Sequence, residues 1–132
     1  MTAKLMVTAR SVLILRMMLS GIFLVAGFNH LMNVKGTVAK LDQASFKDLA
    51  YFIGNPEYLI IISGIVLLMA GIGLFTGFTT RWVALILAMV LIPITITVQI
   101  GQLNSLGPLF KNIALLGGLL FFILNDFKTT KQ

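Results

Sequence analysis

Residues 58–80 read YLIIISGIVLLMAGIGLFTGFTT and residues 82–110 read WVALILAMVLIPITITVQIGQLNSLGPLF, with Arg81 between them as the only charge from Tyr58 to Phe110. An apolar run of about 18 residues or more with few or no charges is long enough to cross the hydrocarbon core of a bilayer. Two such runs hinged on one arginine are expected to be membrane spans. The pattern predicts spans at about 58–78 and 82–100. Working outward, Val12 to Leu31 forms an earlier apolar run, and Leu109 to Leu124 a later one between Lys111-Asn112 and Asn125-Asp126. Four spans with short connections predict an antiparallel four-helix transmembrane bundle, all-α, occupying residues 1–132 as a single domain.

Composition agrees. The 132 residues are 58% hydrophobic and 11% charged, with mean hydropathy +1.02. A water-soluble domain carries about 25% charged residues. The net charge of +6 does not indicate nucleic acid, because the basic residues sit at span ends and form no stripe. They suit lipid headgroups instead. There is no cysteine, so the chain can supply no thiolate nucleophile, persulfide carrier or Fe–S ligand. A single histidine leaves no metal cluster and, with a methionine as the only other axial partner, a poor haem site. No Ser-His-Asp or paired-carboxylate set can be assembled inside the spans, so the chain is not expected to be catalytic alone.

The basic N-terminus followed by an apolar run has the look of a signal peptide. Arg16 interrupts the run and no clean cleavage site follows, so a retained first span is expected. Between spans 1 and 2, Val38, Leu41, Ser45, Leu49 and Phe52 recur at spacings of three and four, which predicts one short helix on the membrane surface. Gly54-Asn55-Pro56 should end it and start the next helix, with Asn55 as N-cap and proline at the first position. Pro93 should kink span 3. Small pairs (Gly64 and Gly71, Gly73 and Gly77, Ala84 and Ala88, Ala114 and Gly118) suit close helix contact, within the bundle or with a partner. With both termini cytoplasmic, Lys4, Arg10, Arg16, Arg81, Lys128 and Lys131 face inward, against Lys35, Lys40, Lys47 and Lys111 outside.

Polar residues inside spans are costly and mark function or structure. Arg16, Ser20, Phe23, Gly27 and His30 recur at four, three, four, three, and so share one face of span 1. Arg16 is expected to pin helix ends, pairing with Asp126 where span 4 returns, or to hold an anionic ligand or lipid headgroup. At the other end Asn29, His30, Gln99, Gln102, Lys111 and Asn112 fall at one depth. They supply donors, acceptors and one group that titrates near neutrality. The set suits the carbonyls of a quinone or the head of another amphiphile, and equally suits interhelical capping at the water interface.

Three segments carry a family likeness: Arg16 with Phe23, Gly27 and Phe28; residues 71–81, GIGLFTGFTTR; and residues 110–120, FKNIALLGGLL. In this order and spacing the chain resembles the DoxX family of small four-span bacterial membrane proteins over nearly its whole length. The family was named from subunits of quinone-linked respiratory enzymes that oxidise sulfur compounds or quinol. The resemblance implies an accessory subunit of a redox complex in the bacterial inner membrane, with no redox centre of its own and a quinone as candidate ligand. His30 stands where many relatives have lysine. The competing expectations are an assembly subunit that packs on a larger complex through Gly73 or Gly117, and a binding or transport protein for a small amphiphile.

Overall fold

A computed structural model of the chain describes residues 5–100 and 106–125. In chain order the elements are α1 (Ala9–Met32), α2 (Val34–Asp42), α3 (Lys47–Ile53), α4 (Pro56–Thr76), α5 (Thr80–Ile94), a π-helical turn at Thr95–Gln99, and α6 (Leu106–Leu124). There is no strand among the described residues. Helices α1, α4, α5 with the turn that prolongs it, and α6 are each long and apolar enough to span a membrane. At most 33% of the most apolar window of any of them is buried inside the protein. The rest is partly or fully exposed, with Met18, Met69, Trp82, Met89 and Phe110 among the exposed side chains. An apolar surface this extensive needs lipid as its solvent.

Helix boundaries follow local chemistry. Thr8 caps α1, its hydroxyl accepting the Ser11 N–H at 3.3 Å. Asn55 caps α4 by accepting the Glu57 N–H at 3.1 Å, and Pro56 occupies the first turn as expected. The C-cap of α4 is Gly77, at φ +82°. There the Gly73 carbonyl accepts both the Gly77 and the Phe78 N–H, at 2.9 and 3.0 Å. A left-handed cap of this kind favours glycine, which has no Cβ to clash.

The connection from α1 to α4 departs from expectation. It folds as two helices rather than one, broken over residues 43–46. The proposed stripe divides with it: Leu41 is buried, whereas Leu49 and Phe52 are exposed. The Tyr51 hydroxyl donates to the Asp42 carboxylate and ties α3 back to α2. That bond holds the Tyr51 phenol above its usual pKa, with smaller contributions from desolvation and from the carboxylate charge.

Antiparallel packing of α1 on α4 brings backbones into contact. A Cβ built on Gly27 would lie 2.8 Å from the Gly64 carbonyl oxygen, and one on Gly64 would lie 2.9 Å from His30 Cβ. One helical level away, Gly71 faces Leu24. In lipid, where burial of apolar surface does not drive helices together, such close contact provides the attraction. Gly73 turns out to be an internal contact, against Val83 of α5, so it cannot serve as an outward assembly face. Ala84 and Ala88 are also buried inside the bundle. Gly117 on α6, by contrast, has open space beside it, and Ala114 is exposed.

The core between the spans is packed toward one end, where the space left is a smaller depression of about 280 Å³ beside Arg81 and Trp82. Leu19, Phe23, Leu74, Leu87, Leu119 and Phe122 belong to one buried cluster between the four spans. That cluster fills the end where α1 begins, α4 ends, α5 begins and α6 ends. Toward the other end the helices leave a groove, with α2 and α3 alongside.

Candidate functional site

The groove has a volume of about 790 Å³ and draws its lining from every helix. Pockets for small molecules commonly fall within roughly 300–1,000 Å³ and combine apolar walls with a few polar groups. Here the walls are apolar side chains of α3, α4 and α5, and the polar groups include His30, Ser63, Lys40, Lys111 and Asn112. His30, Lys111 and Asn112, which sequence position alone placed at one depth, therefore line one cavity. Asn29 lines it too. The backbone of Gln99 ends the π turn, its side chain is not described, and Gln102 lies outside the described residues.

The buried face of α1 delivers His30. Ser20, Phe23 and Gly27 on that face are buried, while Arg16 and His30 at its two ends are half-buried. His30 Nδ1 meets the Ser63 hydroxyl of α4 at 2.9 Å, and that hydroxyl lies 2.8 Å from the Ile60 carbonyl. Across the groove the Asn112 side chain, 3% exposed, donates from Nδ2 to Thr95 Oγ1 at 2.9 Å. Thr95 Oγ1 in turn donates to the Leu91 carbonyl at 2.7 Å. Part of the polar set thus works as interhelical bonding. Lys111, one residue away, is exposed at the groove and free of that duty.

The π turn shapes this wall. Pro93 has no N–H to give the helix, and two residues later the backbone opens from α to π geometry. Threonine hydroxyls serve the carbonyls there: Thr95 bonds Leu91, and Thr97 bonds Pro93. Where lipid replaces water, backbone groups freed by a break must find such internal partners. Ser63 and Thr95 were not singled out from the sequence. Ser63 is the sole side-chain hydroxyl between Tyr58 and Thr76, a signal that an intramembrane polar group should have raised.

At the opposite end Arg16 stands on the C-terminus of α4. A Cβ on Gly77 would fall 2.6 Å from an Arg16 terminal nitrogen. A cation there complements the partial negative charge of the helix end. Arg16 Nε is buried without a hydrogen-bond partner among the described residues. Its expected partner Asp126 lies outside the described residues.

Four membrane-crossing helices, with polar residues gathered in a groove at one end, define a small multi-pass membrane protein. A model of the DoxX family matches residues 11–100, more than half the chain, and the protein belongs to that family. The match ends before α6, so Lys111 and Asn112 lie beyond it. Neither curated proteins nor solved structures give a match.

Proposed function

We propose that the groove holds the polar head of a quinone or a similar amphiphile, and that the protein serves as an accessory subunit of a membrane redox complex. The observation that carries this reading is the convergence of His30, Lys111 and Asn112 on one cavity large enough for a head and the first part of a tail. Association of the family with membrane redox and quinone-related roles supports the choice of ligand. Electrons would come from a partner subunit. The bacterial inner membrane, with both termini cytoplasmic, is the location that fits the charge distribution.

The test is photoaffinity labelling in nanodiscs with a short-tailed azidoquinone, mapped by peptide sequencing. Saturable labelling of residues 52–63 and 90–98 is expected. Lys111→Ala should weaken binding about three- to tenfold by removing a charged donor at an exposed rim, without unfolding the bundle. Asn112→Leu is a poor probe, because it also breaks the buried bond to Thr95. Absence of saturable labelling would reject the groove as the quinone site. Gentle extraction followed by native mass spectrometry tests the accessory role: a stoichiometric complex with flavin or haem subunits is expected, and a lone protein carrying a small molecule would instead favour binding or transport.

One observation favours an assembly role for α6, whose window is only 17% buried and whose Gly117 faces open space. Gly117→Leu should leave unfolding within about 0.5 kcal/mol of wild type, as surface changes do, while cutting association with any partner. Unaltered association in gentle extracts would remove that face from consideration.

A further inference from the structure

The hydrogen bonds around His30 determine which of its nitrogens is left for an occupant of the groove. A serine hydroxyl has one hydrogen and two lone pairs. Ser63 Oγ lies 2.9 Å from His30 Nδ1 and 2.8 Å from the Ile60 carbonyl oxygen. If the hydrogen pointed at the imidazole, two oxygens would face each other at 2.8 Å with no proton between them. Directing it at the Ile60 carbonyl removes that repulsion and lets Oγ accept from Nδ1–H. The neutral ring therefore carries its proton on Nδ1, and Nε2 keeps a lone pair. Nε2 has no hydrogen-bond partner among the described residues. The opposite wall is wired alike, for Asn112 Nδ2–H is spent on Thr95, whose own hydrogen goes to Leu91.

Resting on the reading of the groove as a ligand site, we infer that His30 is a hydrogen-bond acceptor in it, held so by Ser63, and that the groove selects amphiphiles whose head carries an O–H donor. Phenols and hydroquinones fit this rule. Ethers and heads with only carbonyl oxygens, the oxidised quinone included, bind more weakly than the corresponding phenol or quinol, because they leave Nε2 unpaired in a largely apolar site. A second, acceptor oxygen on the same head would suit the Lys111 ammonium.

The first experiment reads the ring itself. His30 is the only histidine, so nitrogen-15 NMR of histidine-labelled protein in nanodiscs at about pH 8, well above the usual imidazole pKa near 6.5, needs no assignment. A protonated Nδ1 and an unprotonated Nε2 are expected, and the reverse tautomer would overturn the inference. The second experiment compares para-dodecylphenol with para-dodecylanisole, which differ in the O–H, by equilibrium dialysis corrected for empty nanodiscs. The phenol should bind about fivefold to tenfold tighter. Ser63→Ala, which frees the ring to present either nitrogen, should bring the ratio close to one, and Ser63→Thr should restore it. Saturable, equal binding of both compounds to wild type would overturn the selection and leave the groove a ligand site. Saturable binding of neither would overturn both.

Discussion

Gly27→Leu is expected to be the most damaging single substitution in the described part of the chain, costing at least about 3 kcal/mol. The groups that a side chain would meet at that position are the Gly64 carbonyl oxygen at 2.8 Å and the Leu68 backbone nitrogen at 2.9 Å. Backbone cannot swing away as a rotamer can. The α1–α4 seam would have to open along its length, with the loss of the dispersion contacts that hold helices together in lipid. Gly27→Ala should already cost about 1–3 kcal/mol. Gly21 sits on the same helix with nothing near its Cβ position, and Gly21→Leu should stay within about 0.5 kcal/mol of wild type. Unfolding in mixed detergent micelles, followed by helical circular dichroism, reads all three. Equal stability of the Gly27 and Gly21 variants would show that the seam is not held by backbone contact.

Gly77→Ala is expected to cost more than its backbone conformation alone explains. Left-handed φ disfavours any residue with a Cβ by about 1–2 kcal/mol, and Gly77 stands at φ +82°. The added methyl would also press on the Arg16 guanidinium, which must then leave the end of α4. Because Arg16 is a flexible side chain, the second contribution should be separable. In an Arg16→Ala background the same glycine substitution should cost only the conformational part, giving a coupling of at least about 0.5 kcal/mol. Strict additivity would mean that Arg16 relaxes without loss and does not brace the helix end.

Much of the frame was legible because lipid imposes a coarse rule: spans must be long and nearly uncharged. Arg81 alone divided the long apolar tract correctly, and Asn55-Pro56 marked the start of α4. The shared face of Arg16, Ser20, Phe23, Gly27 and His30 followed from helical periodicity, which the structure retains. Finer features were not legible, for physical reasons. Periodicity over residues 38–52 could not reveal the break that separates α2 from α3, since a few residues of turn can preserve spacing while rotating the stripe. Pro93 announces an interrupted helix but not that the backbone resumes with π geometry. Small-residue spacing marks where helices can approach, not which face meets a neighbour, so Gly73 and Gly117 looked alike until one was found against Val83 and the other in open space. His30, Lys111 and Asn112 were found by their depth. Their bonding partners Ser63 and Thr95 were not, because pairing depends on the rotation of each helix about its axis.

The bundle is packed toward the Arg16 end and hollow at the His30 end, and each end of a membrane-crossing bundle belongs to a different leaflet. An occupant that moves within the bilayer thus meets the cavity from one monolayer alone. For a molecule that flips slowly, the two sides of the membrane become separate reservoirs. Occupancy would then follow the composition of one monolayer, and a pulse delivered to the other would register only after the delay of crossing.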